Sequence, residues 1–381
     1  VPDFHFHPPV STHHSLQNSM SLPSFNIAEY PGQLAGKVSQ FKDAFAPFAL
    51  PEPSVFASAP RHYRMRAEFR MWHQDERIDY AMFDPTEPKQ PVIIDEFAAA
   101  DATIYRLMPR LRERLQACTA LKNRLFQVNF LATLSGEMLL TLIYHRPLDA
   151  AWETAARELA DELNVQLIGR SRKQKLVLGR DWVLEKFDLN GRQLSYQQIE
   201  GSFSQPNAGV NRQMLGWACQ QAAGLGGDLV ELYCGNGNFT IALAPLFERV
   251  LATEVSKSSV AAANYNLAAN QIDNVTLVRM SSDEISEALA RNRPFERMKT
   301  VDLDTYNFST LFVDPPRSGL DAVTLALAGS FQNILYISCN PQTLQENVSA
   351  LQATHSITAS AVFDQFPYTH HLECGLLLTR R

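Results

Sequence analysis

The sequence predicts an α/β protein: a C-terminal doubly wound, Rossmann-like domain preceded by an α+β domain. Three observations carry this. A chain of 381 residues is long for a single hydrophobic core. From about residue 202, short apolar runs alternate with helix-length stretches, the pattern of a mainly parallel sheet with helices on both faces. Before that point, strand-like runs are joined by short turns and helices fall in groups, the pattern of an α+β domain. The expected division is a tail over 1–19, one domain over 20–201 and a second over 202–381.

In chain order, residues 1–19 are Pro-, Ser- and His-rich without hydrophobic period, and are expected to be a disordered tail. His5, His7, His13 and His14 make it at most a weak metal binder. A helix follows over about Tyr30–Phe48, then a Pro-rich stretch, then the alternating runs YRMRAEFRMW, RIDYAMFD and VIID, which read as strands. Asp101 caps a helix running to Cys118. FQVNFLATL and MLLTLIYH suggest a hairpin turning at Ser135–Gly136, followed by a helix near Leu148–Leu163 and the strand NVQLIGRS. In the second domain the strands are DLVELYC, RVLATE, NVTLVRM, TLFVD and ILYIS, with helices at Lys257–Asn270 and Pro341–Gln352.

Composition narrows the function. No stretch approaches the roughly 18 consecutive apolar residues of a membrane span, and the chain does not open on a secretory signal. Cys118, Cys219, Cys234, Cys339 and Cys374 are odd in number and contain no CxxC pair. They predict neither disulfides nor a zinc or iron–sulfur site, and fit a reducing cytoplasm. The net charge of −6 argues mildly against a polyanion partner. However, residues 1–200 carry 23 Lys+Arg against 24 Asp+Glu and 201–381 carry 11 against 16, so the acidity lies in the second half. In the first half Arg61, Arg64, Arg66 and Arg70 interleave with Tyr63, Phe69 and Trp72, and more cations follow at Arg170, Arg172, Lys173 and Lys175. On a strand Arg64, Arg66 and Arg70 share one face, a candidate RNA surface, with Phe126 and His145 as weaker stacking candidates.

Three strand ends carry the chemistry. Tyr233-Cys234-Gly235-Asn236-Gly237-Asn238 is a tight turn at the head of a helix, and Glu254 ends the next strand, placed to accept ribose hydroxyls. The third glycine of a dinucleotide fingerprint is replaced by Thr240, which favours a nucleoside without a pyrophosphate. In LFVDPPRSG the prolines stiffen the turn that projects Asp314 and Arg317. Cys339 precedes Asn340-Pro341, where helix amides favour a thiolate; an inert buried cysteine is the plain alternative. Asp364, His370, His371, Glu373 and Cys374 crowd a short connection near the C-terminus, with Glu373 a candidate base.

Taken together, FSQPN (Phe203–Asn207), ELYCGNGNFT, FVDPPRSGL, ISCNP and FDQFPYTHHLECGLLL resemble the RNA uracil-5-methyltransferase family, from about Tyr30 to the C-terminus. HYRMRAEFR and KNRLFQVNF resemble the N-terminal domain of its tRNA branch. The resemblance implies methylation of carbon 5 of the T-loop uridine at position 54 of tRNA, with S-adenosyl-L-methionine as methyl donor and no metal. It implies Cys339 as nucleophile and Glu373 as base, and Gln205, Tyr233, Asn238, Glu254 and Asp314 as cofactor residues. The expected partner is the T-arm of tRNA, or other RNAs with T-loop-like hairpins, met by a monomer. The alternatives are uracil-5 methylation of another RNA, such as ribosomal RNA, and a non-catalytic role in tRNA folding. An exocyclic-amine methyltransferase would carry an aromatic residue where Arg317 stands, and a dehydrogenase would carry the missing glycine.

Overall fold

The computed structural model describes residues 26–84 and 87–381. The tail over 1–19 lies outside the described residues. Helix α1 (Tyr30–Phe45) buries Tyr30, Lys37, Phe41 and Phe45, one face at helical spacing. Strand β1 (Ser54–Phe56) follows in the Pro-rich stretch.

The first domain is then built from β2 (Arg66–Gln74), β3 (Arg77–Phe83), β4 (Pro91–Ile93), α2 (Ala102–Ala117), α3 (Thr119–Lys122), β5 (Leu125–Ala132), β6 (Met138–Tyr144), α4 (Ala150–Leu163), β7 (Gln166–Ser171) and β8 (Gln174–Leu178). Asp101 caps α2 as expected, its carboxylate accepting from Thr103 N. The strands form one sheet in the order β4-β3-β2-β5-β6-β7-β8. Its pairs are antiparallel except β6 with β7, whose crossover is α4.

The two faces of this sheet differ. Ala67, Phe69 and Met71 of β2 point into a core shared with α2 and α4, while Glu68 and Arg70 are exposed on the other face. Phe69, expected among the RNA-facing aromatics, is therefore a core residue packed on Tyr80, Phe97 and Phe130. Its odd position in the strand decides this.

A hairpin that the periodicity did not reveal comes next: β9 (Trp182–Leu189) and β10 (Arg192–Ile199), joined at Asn190–Gly191, both with positive φ. Asn-Gly is a strong signal for such a turn. Phe187, Leu189, Leu194 and Tyr196 of the hairpin belong to the core of the second domain.

That domain comprises α5 (Ala208–Ala222), β11 (Asp228–Leu232), α6 (Asn238–Leu243), β12 (Val250–Thr253), α7 (Lys257–Ala269), β13 (Val275–Val278), α8 (Ser282–Leu289), β14 (Phe308–Val313), α9 (Ala322–Ala328), β15 (Asn333–Ser338), α10 (Pro341–Leu351), β16 (His355–Phe363) and β17 (Glu373–Arg380). The sheet order is β1-β16-β17-β15-β14-β11-β12-β13. The five strands from β13 to β15 are parallel, β17 inserts antiparallel beside β15, and β1 pairs parallel with β16 at the edge. Side chains of α5, α6 and α7 share one core on one face; those of α1, α8, α9 and α10 share another on the opposite face.

The expected division at 201/202 thus needs correction in space. Both α1 and β1 precede the first domain in sequence yet pack with the second, and the β9–β10 hairpin docks there too. Phe41 and Phe45 have apolar partners on that sheet, so burial overrides chain order.

Candidate active site

Strand order reverses between β14 and β11, which opens a crevice at the carboxyl ends of the parallel strands, where α/β sheets bind ligands. The turn after β11 enters it with Tyr233, Gly235 and Gly237 all at positive φ, Gly237 capping α6. Gly235 N donates to Glu254 Oε2 at 3.0 Å and Ser256 N to Glu254 Oε1 at 2.7 Å, so the carboxylate ending β12 ties the turn to the neighbouring strand. Each oxygen keeps a further lone pair for an incoming hydroxyl. Val255 beside it is 68% exposed, an apolar surface with no protein cover.

Asn238 and Asn211 exchange amide hydrogen bonds at 2.9 and 3.0 Å. Gln205 Oε1 accepts from Gln365 Nε2 at 3.3 Å. The Tyr233 phenol lies among Ser282 and Thr324, and burial raises its pKa. Its ring thus turns toward α8 and α9.

At the next strand ends the register does the positioning. Ser338, the last residue of β15, pairs with Cys374, so Cys339 directly follows that pair on one strand and Glu373, the first residue of β17, directly precedes it on the other. Residues opposed across an antiparallel pair lie about 5 Å apart at Cα. Asp314 directly follows β14, the parallel neighbour of β15. Burial pushes the Glu373 carboxyl up to about 8, with Asp314 adding to the effect and Arg317 opposing it. Burial pushes Asp314 up to about 7.

The thiol departs from expectation. Asn340, not Cys339, caps α10, its side chain accepting from Gln342 N at 3.1 Å. Burial, followed by the charges of Glu373 and Asp314, pushes the Cys339 thiol up to about 12, and Arg317 opposes this. Desolvation and two carboxylates outweigh the helix amides.

Gly319 closes the DPPRSG turn at φ +74, and a Cβ there would stand 2.9 Å from Asn347 Oδ1, so both conformation and space demand glycine. The carbonyl of Arg317 accepts from Asn340 Nδ2 and Thr343 Oγ1, while its guanidinium lies 3.4 Å from the ring nitrogens of His371. Burial, then His370, Arg317 and Lys37, hold His371 down at about 4, a neutral imidazole at pH 7.

Glu231, which the sequence reading passed over, is a buried carboxyl within β11. Burial raises it to about 8, with Asp314 adding and Thr240 opposing. An acidic residue inside an otherwise apolar strand was the available signal.

Of the RNA candidates, the structure brings three together on the first domain. The Arg70 guanidinium lies 3.9 Å over the Phe126 ring, and Phe126 stacks on His145 with centroids 3.9 Å apart. Phe126 sits at an irregularity in the β5–β6 register, which lets it rise against Arg70. Arg64 and Arg66 are engaged differently. Arg64 Nε donates to Arg66 O at 2.9 Å, and Arg66 Nη1 donates to Ser202 O at 2.6 Å and Ser204 Oγ at 3.2 Å. Arg66 thus braces the joint between domains, while Arg64 turns back on its own strand. Arg170 is clamped by Glu200 at 2.9 and 2.6 Å, and Lys175 pairs with Asp181 at 2.8 Å.

A doubly wound sheet with a glycine turn and an acidic strand end defines a Rossmann-like methyltransferase fold. The chain belongs to the tRNA (Uracil-5-)-methyltransferase family, whose model matches residues 29–381. It is 75% identical over 362 residues to a tRNA/tmRNA (uracil-C(5))-methyltransferase of Aromatoleum aromaticum, covering 95% of this chain and 98% of that protein. A protein of the same description from Pseudomonas putida is 54% identical over 358 residues, covering 94% and 99%. The crystal structure of the Pyrococcus abyssi tRNA (uracil-54, C5)-methyltransferase in complex with S-adenosyl-L-homocysteine shares the fold. Its TM-score is 0.69 at 20% identity, over 92% of this chain and 83% of that one.

Proposed function

We propose that this protein transfers the methyl group of S-adenosyl-L-methionine to carbon 5 of uridine 54 in the T-loop of tRNA. Cys339 is the nucleophile and Glu373 the base. The observation that carries this reading is the pairing of Ser338 with Cys374, which brings Cys339 and Glu373 to neighbouring strand ends, close enough for the Glu373 charge to act on the thiol. The relatives, which are tRNA/tmRNA (uracil-C(5))-methyltransferases, support the substrate class.

Carbon 5 of uracil is a weak nucleophile. Addition of the Cys339 sulfur to carbon 6 makes the ring an enolate whose carbon 5 is electron-rich. The thiol proton passes to a neighbouring carboxylate or to water as the C–S bond forms, because a thiol near 12 carries little thiolate beforehand. Once carbon 5 is methylated, the Glu373 carboxylate removes its proton. The C–S bond then breaks, which restores the ring and frees Cys339. A carboxyl near 8 is matched to that proton transfer at neutral pH.

S-adenosyl-L-methionine supplies an electrophilic sulfonium methyl. The crevice fits it. Glu254 has lone pairs for the ribose, exposed Val255 offers an apolar face to a base, and Thr240 replaces the glycine that a dinucleotide site would want. Gln205, Tyr233, Asn238 and Asp314 complete the set.

Extruding a uridine from a folded loop costs about a few kcal/mol. The Arg70–Phe126–His145 stack suits an unstacked RNA loop, since aromatic and guanidinium planes receive bases without strict sequence demand. In this reading the protein works as a monomer on the T-arm, and tmRNA or other T-loop-like hairpins are further substrates.

The test is incubation with unmodified tRNA transcript and methyl-labelled donor, followed by digestion. Label as 5-methyluridine at position 54, absent in Cys339→Ala, is expected. Label in ribosomal RNA but not tRNA would keep the chemistry and refute the substrate. Label persisting in pure Cys339→Ala would refute the covalent step, and full biological activity of that variant would favour a tRNA-folding role.

A further inference from the structure

The segment between β16 and β17, residues 364–372, runs beside the site and ends directly before Glu373. It is held by residues far from it in the chain. Asp364 N donates to Phe56 O at 3.0 Å, Tyr368 Oη to Pro60 O at 2.9 Å, and Tyr63 Oη to Pro367 O at 3.4 Å. Asn207 N donates to Gln365 Oε1 at 3.2 Å.

At the centre is Lys37 of α1. Its Nζ donates to Asp364 Oδ1 at 2.6 Å, Phe366 O at 3.0 Å and His371 O at 2.9 Å. Those three acceptors use every ammonium proton and span the loop from its first residue to the one before last. Lys37 is 7% exposed and Asp364 1%. Lysine is almost never this buried unless paired. A buried pair of this kind costs desolvation that an apolar pair of equal volume would avoid, so stability alone is a poor reason to keep it.

The other contacts of the helix fix where the ammonium sits. Phe41 and Phe45, on the same face as Lys37, lock α1 into the apolar layer beneath the sheet. Tyr30, at the start of that face, brings its phenol beside the same Asp364 carboxylate. The helix is therefore a rigid mount, and Lys37 is the point at which it grips the loop.

Lys37 has no bond to Cys339, Asp314 or Glu373, but its neighbours reach them. The His371 carbonyl it holds belongs to the residue whose ring faces Arg317. Arg317 in turn favours the ionised forms of the Glu373 carboxyl and the Cys339 thiol, against burial and the neighbouring carboxyls.

We propose that Lys37 is a positioning residue of the reaction. From a helix at the start of the chain it holds the 364–372 loop, and with it His371, Arg317 and Glu373, in the arrangement that proton removal from carbon 5 requires. The inference rests on the covalent reading above and adds the residue that sets its geometry.

The experiment compares the full-length wild type with Lys37→Met and with Lys37→Met/Asp364→Asn. The double variant removes both charges, so that it leaves no unpaired buried carboxylate. Each protein is given tRNA carrying either uridine or 5-fluorouridine at the target. After methylation the fluorinated adduct has no proton on carbon 5, so it stays bound to sulfur and can be seen on a denaturing gel.

The double variant is expected to melt cooperatively and to bind tRNA within twofold of wild type. It should form the fluorinated adduct, yet turn over uridine at least tenfold more slowly in a single turnover, with uridine adduct accumulating. A folded double variant with a single-turnover rate within twofold of wild type overturns the proposal. So does a slow variant that fails equally to form the fluorinated adduct, since the defect then precedes proton removal.

Should neither methionine variant fold, Lys37→Arg decides. A slowed rate with tRNA binding unchanged supports the proposal, and a wild-type rate overturns it. Absence of a fluorinated adduct in the wild-type lane overturns the covalent reading itself, and this inference with it, whatever the variants do.

Discussion

The two sheets use their polar residues in opposite ways. In the second domain the proposed catalytic groups and their buried neighbours are drawn inward. Glu373 is buried at the head of β17, Glu231 is buried in β11, and the Cys339 thiol and Asp314 carboxyl feel burial as the first influence on their protonation. In the first domain the candidate RNA residues stay outward: Arg70 and His145 are exposed, with Phe126 half-buried between them. Proton transfer gains from a dry site where one charge strongly shifts another. Recognition of a polyanion needs cations left in water, where they can release counterions on binding. One chain meets both demands by placing each set on a different sheet.

Removing the base should test this contrast most severely. Glu373→Gln is expected to lower the single-turnover rate by about 10³-fold, within the range for general bases, while tRNA binding changes little. The same variant should be more stable than wild type at high pH. Glu373 is raised in the folded protein from 4.5 to about 8, so the unfolded chain binds fewer protons between those values. Stability from this group is greatest below pH 4.5 and is lost as pH rises through about 8. A neutral glutamine escapes that loss. Thermal melts should favour the variant by about 1–3 kcal/mol at pH 9 and show little difference at pH 5. Equal melts at both would mean that the carboxyl is better solvated than its burial implies.

Glu254→Ala should come next. Loss of a carboxylate serving both ribose hydroxyls costs about 2–3 kcal/mol, hence a KM for the methyl donor raised by about 30- to 150-fold. Calorimetry of donor binding checks it, and unchanged affinity would move the ribose elsewhere in the crevice.

On the first sheet the effects should be smaller and should separate two kinds of arginine. Phe126→Ala removes a stacking plane worth about 1–2 kcal/mol, so tRNA affinity should fall by about 5- to 30-fold. Arg66→Ala should leave affinity within about threefold but lower stability by about 1–2 kcal/mol, because its guanidinium is spent on Ser202 and Ser204. Affinity measured against salt concentration, beside melts, discriminates the two. A large loss of affinity in Arg66→Ala would return that residue to the RNA surface.

Much of this was legible in the chain. The strand–helix alternation after residue 202, the Asp101 cap and the Ser135–Gly136 turn all follow from local rules, and the structure has them. The glycine turn, Glu254 and Asp314 stand at strand ends because a doubly wound sheet places ligand contacts there. The hairpin at Asn190–Gly191 was legible too, through its turn dipeptide rather than through alternation.

Other features have no local signature. β1 joins the sheet of the second domain through pairing with β16, more than 300 positions away along the chain. Which arginines on one strand face remain open depends on what packs across from them: Arg66 meets the linker at Ser202, while Arg70 lies over Phe126. Lys37 reads as an ordinary surface lysine until α1 docks and delivers it to Asp364.

The sequence by itself determined most of the elements and the chemical types at the strand ends, since these depend on neighbours a few residues apart. The tertiary structure alone decided burial and engagement: that the ends of β15 and β17 bring Cys339 near Glu373, that burial and those carboxyls push its thiol up, and that a lysine from the first helix grips the loop before Glu373. Those properties arise from burial and from charges brought together across the fold, and neither exists until the chain has folded.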